Sequence, residues 1–201
     1  MPTIIDYYLA PQSPWTYLGH ERFARMADAA GATVNVMPVD LGGKIFPVSG
    51  GVPLGQRAPQ RQAYRLVELA RFRDALQMPL NIKPRYFPVP GDQAARMIIA
   101  VDQAAGSAAA MRFTGAVLAA VWAQERNIDD HVTLAQLLVE NALPASLADA
   151  AKAAEVQVLY ESYTQRAIDH GVFGSPSYVI DGEIFWGQDR LDFVERKLRA
   201  T

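Results

Sequence analysis

The sequence predicts an α/β fold in which a βαβ unit and a terminal ββα unit enclose a block of helices. Three observations carry this. Two β-rich runs, residues 3–9 and 33–39, flank an amphipathic segment. Ala-rich stretches with helical patterning fill the middle of the chain. Two further β-rich runs meet at Asp181-Gly182, and an amphipathic segment follows them.

The run from Thr3 to Leu9, TIIDYYL, is β-branched and aromatic and reads as a buried strand. Ser13 and Pro14 are the residue types of an N-cap and a first helical position. Trp15, Leu18, Phe23, Met26 and Ala30 recur at helical spacing, and Gly31 is a natural stop. TVNVMPV, residues 33–39, reads as a second strand, which completes a βαβ unit with a right-handed crossover. Residues 40–60 are rich in Gly and Pro and read as a long loop, a length usually tied to function.

Helices follow over residues 60–76, from an Asp92 cap to Gly106, and from Ser107 to Asn127. Thr133 with Gln136, and Ser146 with Asp149, have capping-box spacing. The last inserted helix runs to His170 and stops at Gly171. SYVIDGEIFW, residues 177–186, is a hairpin on an Asp-Gly turn. DRLDFVERKL then places Leu191, Val194 and Leu198 on one helical face. The expected organisation is one domain from residues 1–56 and 171–201, with residues 57–170 as an inserted helical domain.

Composition narrows the function. Half of the 201 residues are hydrophobic, which excludes a disordered chain, and a net charge of −2 makes no case for nucleic acid. The absence of cysteine excludes disulfides, thiolate metal sites and dithiol chemistry, and fits a cytoplasmic protein. The N-terminus lacks a basic region and reaches Asp6 quickly, so no signal peptide is expected. No run approaches the roughly 20 apolar residues of a membrane span. His20, His131 and His170 are scattered, without metal-ligand spacing, and read as structural or surface residues. The glycine-rich loop has no following GK[ST] and is not a phosphate-binding motif.

The element order is the thioredoxin-like plan, in which a reactive group at the start of the first helix faces a proline before the third strand. Here those positions are Ser13 and Pro176, and a cis Ser175-Pro176 bond is expected. Taken alone, Ser13-Pro14 is ordinary capping. Likewise Gly187 could end a strand and Asp189 cap the last helix. Arg57, Arg61 and Arg65, four apart, fit either a solvated basic face or a carboxylate clamp.

The motifs SPWTYL and FGSPSYVIDGEIFWGQDRL, with the helical block between them, resemble the 2-hydroxychromene-2-carboxylate isomerase family. That family belongs with the kappa-class glutathione transferases and is distantly similar to periplasmic disulfide oxidases. The resemblance covers nearly the whole chain. It implies glutathione as the cofactor, with Ser13 against its sulfur and the main chain of Ser175, before Pro176, paired with its backbone. Trp186, Gly187, Gln188 and Asp189 would hold its charged end. A small aromatic carboxylate substrate would meet Lys44, Gln56, Arg57 and Tyr86. Family members commonly carry Asn where Gln56 stands and a polar residue at Ala10, and the spacing around Lys44 does not align cleanly. The implied reaction is isomerisation by reversible thiolate addition, bond rotation and elimination. A kappa-like transferase and a non-catalytic thioredoxin-like binding module are the alternatives. A homodimer fits proteins of this kind, though no segment marks an interface.

On this reading the chain needs no thiol of its own. A free thiol of pKa ~8.5 is only about 3% ionised at pH 7, and lowering it by two units takes ~2.7 kcal/mol. A hydrogen bond to a charged group supplies roughly 1.5–3 kcal/mol and a helix N-terminus up to ~2. Ser13 would stabilise the thiolate rather than attack, since no histidine is near it in sequence to act as base.

Overall fold

The computed structural model describes residues 2–200. Its elements are β1 (Ile4–Leu9), α1 (Pro14–Ala29), β2 (Thr33–Pro38), α2 (Phe46–Ser49), α3 (Pro59–Leu76), α4 (Asp92–Ala105), α5 (Ser107–Trp122), α6 (His131–Glu140), α7 (Leu147–Ala150), α8 (Ala154–Asp169), β3 (Ser177–Ile180), β4 (Glu183–Trp186) and α9 (Leu191–Ala200). The strands form one sheet in the order β2-β1-β3-β4. β1 runs parallel to β2, with Tyr7 opposite Val36, and antiparallel to β3, with Tyr7 opposite Tyr178.

β1 is apolar on both sides because both faces are covered. Ile5, Tyr7 and Leu9 join a core that continues through Leu18 and Phe23 of α1 into Ile98 of α4 and Phe113 of α5. Tyr8 points the other way, into a smaller cluster with Met37, Val39, Ala167, Val172 and Val179. Asp6 shares that second face, buried, and is satisfied by Asn35 Nδ2 at 2.7 Å and Arg166 Nη2 at 2.6 Å. The inserted helices therefore share their main core with the sheet.

Both strand pairs and α1 lie where the sequence places them. The hairpin turns through Asp181 (φ 50°) and Gly182 (φ 79°), the positive angles that favour Asp-Gly there. Ser175-Pro176 is cis, as expected, and Phe87-Pro88 is cis as well.

Five local expectations are corrected. Residues 40–60 are not one open loop. The Asp40 carboxylate accepts from Gly43 N at 2.7 Å and starts a π-turn over Leu41–Ile45, followed by α2 and a 3-10 turn at Leu54–Gln56. α4 is not capped by Asp92: Gly91 holds the cap position, and Asp92 accepts instead from the Tyr160 hydroxyl at 2.9 Å. α6 is capped by Asp130, whose carboxylate takes the Val132 and Thr133 amides, rather than by Thr133. α5 ends at Trp122, short of Asn127. Ser146 does precede α7, but its side chain makes no capping bond.

Candidate active site

The corner between β1, α1 and β3 is built from small polar groups. Ser13 is the N-cap of α1, with extended backbone (ψ 124°), and its Oγ accepts from Thr16 N at 3.2 Å. The same hydroxyl donates to the carbonyl of Ser175 across a long 3.4 Å. Ser175 Oγ accepts from Ala10 N at 2.8 Å and bonds Thr16 Oγ1 at 2.9 Å. The capping reading of Ser13 is thus correct as local structure, and the same group also faces the carbonyl preceding the cis proline. Pro176 is tied to the far hairpin strand, its carbonyl accepting from Gly187 N at 2.9 Å.

Among the described residues the Ser13 hydroxyl bonds only Thr16 N and Ser175 O, neither of them a base. His20, on the same helix, is buried and committed elsewhere: Nε2 donates to Met111 O at 2.9 Å, so Nδ1 accepts from the Tyr7 hydroxyl at 3.1 Å. Burial lowers its pKa to about 4 and keeps it neutral. Among the described residues no cluster of three His, Cys, Asp or Glu could hold a metal ion.

A cavity of about 550 Å³ opens at this corner, within the range of small-molecule sites. One wall is Ser175 with the segment Trp186–Arg190. The other is Arg57 and one face of α3, including Arg61, Tyr64, Arg65, Glu68 and Phe72. Trp15 lies between them, its ring edge-on to Phe72 at 5.9 Å.

On the first wall, Trp186 is half exposed and packs against Phe173 at 4.8 Å. Gly174 admits it: a Cβ there would stand 2.1 Å from the indole nitrogen. Gln188, also on this wall, is buried, Arg22 Nη2 donating to its Oε1 at 2.5 Å and to its main-chain carbonyl at 2.8 Å. Gly19 permits this packing, since a Cβ there would lie 2.8 Å from Gln188 Cβ. Arg22 thereby fixes the segment carrying Gly187 and Asp189. The Asp189 carboxylate pairs with Arg190.

The second wall is basic. Arg57 Nε donates to Val52 O at 2.7 Å, and its pKa is lowered by burial and by neighbouring Arg61. Arg65 is buried, its guanidinium 5.1 Å from the Phe87 ring centre and 5.8 Å from that of Trp122. Burial, then Arg57, lowers its pKa to about 10.

Of the residues singled out from sequence, Arg57, Ser175, Trp186, Gly187, Gln188 and Asp189 line the cavity, and Ser13 and Pro176 adjoin it through Ser175. Lys44, Gln56 and Tyr86 are not among the lining residues. Lys44 and Gln56 are exposed, and Tyr86 is half buried beneath the Arg85 guanidinium at 5.2 Å. Sequence reasoning missed Thr16, Arg22, Trp15, Tyr64 and Phe72. The spacing of residues 57, 61, 64, 65, 68 and 72 was the available signal for an α3 wall.

The chain is 26% identical over 199 residues to a protein of Sphingobium xenophagum named 2-hydroxychromene-2-carboxylate isomerase, covering 98% of this chain and 99% of the relative. A Pseudomonas putida protein of the same name is 27% identical over 198 residues, covering 96% and 92%. A solved structure of 2-hydroxychromene-2-carboxylate isomerase superposes with a TM-score of 0.79 at 24% identity, over 98% of this chain and 95% of that one. The family model described as DSBA-like thioredoxin domain matches residues 4–199, and the chain belongs to that family.

Proposed function

We propose that the protein is a glutathione-dependent isomerase acting on 2-hydroxychromene-2-carboxylate or a related aromatic carboxylate. The observation that carries the reading is Ser13: a hydroxyl at a helix N-cap, beside the carbonyl that precedes a cis proline, in a chain without cysteine. Its 3.4 Å bond to Ser175 O is long, so the hydroxyl hydrogen is free to turn to a better acceptor. The names of the relatives support the substrate class.

The corner suits the tripeptide. Bound there, glutathione supplies a thiolate that adds reversibly to a conjugated enone, allowing bond rotation before elimination restores the thiol. Ser13 donates to the sulfur, and the α1 N-terminus favours its negative charge. The main chain of Ser175, ahead of Pro176, pairs with the peptide. Trp186 shields it, and the Gly187–Asp189 segment, braced by Arg22, receives its charged end. Gln188 does this through the groups that Arg22 leaves open, its main-chain N–H and the buried Nε2, which has no partner among the described residues, whereas Arg22 occupies its Oε1 and main-chain carbonyl. Asp189 accepts the ammonium group by exchanging it for Arg190.

Arg57 orients the substrate's oxygens. Gln56 adjoins Arg57, and Tyr86 adjoins the Phe87 ring on which Arg65 rests, and both contact the substrate. The family resemblance adds Lys44 to these contacts.

The test is purified protein with 2-hydroxychromene-2-carboxylate, followed by absorbance with and without glutathione, the thiol being assayed afterwards. Interconversion that requires glutathione and leaves its concentration unchanged is expected. Its absence removes this assignment, and a thioether conjugate formed at the expense of glutathione makes the protein a transferase.

A further inference from the structure

The proposed function uses the corner and Arg57, and leaves Arg65 unexplained. Arg65 is only 8% exposed, yet it lines the cavity. Among the described residues no carboxylate lies within ion-pair distance of it, although Glu68, one turn on, lines the same wall. Buried arginines are ordinarily paired. The faces of Phe87 and Trp122 offset part of the cost, at about 0.5–2 kcal/mol each, against a penalty of several kcal/mol for desolvating the charge. Arg57 adds like charge beside it, and Arg61 adds like charge beside Arg57. The site is therefore short of a negative group.

We propose that Arg65, assisted by Arg61, is the carboxylate-binding subsite of this cavity and selects aryl carboxylates as its ligands. A guanidinium takes a carboxylate through two parallel hydrogen bonds, which sets orientation as well as affinity. The aromatic part of the ligand has its surface on the same wall, where Tyr64 and Phe72 lie, with Trp15 of α1 edge-on to Phe72. A carboxylate could also come from glutathione. The α3 wall is a separate segment from Trp186–Arg190, and its rings fit a flat apolar ligand, so the aryl carboxylate is the source assigned. The inference rests on the reading that an aromatic acid enters this cavity. Its test reads binding rather than turnover, and the acid preference is measured without glutathione bound, so it can fail while that reading stands, and the reverse.

The experiment is calorimetric titration with trans-2-hydroxycinnamate and with its neutral primary amide, on wild type, Arg65→Met and Arg61→Gln, with glutathione titrated separately. Wild type should prefer the acid by about tenfold or more, the scale of a charge-assisted hydrogen bond. Arg65→Met should abolish that preference while leaving amide and glutathione affinities unchanged, and its melting temperature should hold or rise because an unpaired buried charge is gone. The proposal is overturned if wild type shows no preference, if the preference survives in Arg65→Met, or if that variant loses glutathione affinity instead. Should Arg65→Met fail to fold, Arg61→Gln, at an exposed position, decides: a several-fold loss of acid preference supports the proposal and no change overturns it.

Discussion

Replacing Ser13 separates its two roles. The hydroxyl caps α1 through Thr16 N at 3.2 Å, and losing a cap to alanine costs about 1 kcal/mol, or about 2–4 °C in a chain of this size. Glycine at a cap position costs only a few tenths of a kcal/mol, roughly, and Ser13 has the ordinary angles φ −77° and ψ 124°. Donation to a bound thiolate is a different quantity, about 1.5–3 kcal/mol, or roughly one to two pKa units. If the bound thiol ionises near ~6.5, losing Ser13 returns it to ~7.5–8.5, and the thiolate share at pH 7 falls by about 3–25-fold. Ser13→Ala and Ser13→Gly should therefore lose activity alike at pH 7, recover most of it above about pH 9, and differ in melting temperature. The assay is ultraviolet titration of the bound thiolate with the pH–rate profile of each variant. If the bound sulfur titrates alike in wild type and Ser13→Gly, or if the activity loss is the same at every pH, the thiolate argument fails.

Two further outcomes follow from the packing. His20 has a folded pKa of about 4 against 6.5 ordinarily, so as pH falls through that window the unfolded chain takes up a proton that the folded one refuses. Stability should drop by up to about 3 kcal/mol. His20→Gln, able to keep both the Tyr7 and Met111 bonds, should flatten that acid limb in denaturant melts, and an unchanged limb would assign it to other groups. Gly174→Ala places a Cβ 2.1 Å from Trp186 Nε1 and should push the half-exposed indole outward. The loss of its contact with Phe173 costs about 0.5–1.5 kcal/mol. A red-shifted tryptophan emission with weaker glutathione binding is expected, and unchanged emission with unchanged binding would show that the wall tolerates the methyl group.

The strands, α1 and the hairpin were legible because their signals are local: β-branched and aromatic runs, a Ser-Pro start, an Asp-Gly turn. The corner was legible because Ser13 and Ser175-Pro176 stand at the ends of such elements. Where two local candidates compete, the sequence does not decide. Asp130 and Thr133 could each cap α6, and the carboxylate, with two oxygens, takes both amides. The glycines of residues 40–60 read as loop because the turn is organised by the Asp40 side chain rather than by residue propensity. Arg65 was least legible. Its spacing matches a solvated face, and its burial comes from Phe87 and Trp122, far along the chain. The orientation of Gln188 was hidden for the same reason, its partner Arg22 lying on α1.

One side of the cavity is a single continuous helix, and the groups proposed to hold sulfur come from elsewhere in the chain. A library that randomises a few successive turns of α3 could therefore retarget the protein to new electrophiles while leaving the thiol-activating machinery as inherited. The sheet-side corner would serve as a constant part and the helix as an exchangeable one.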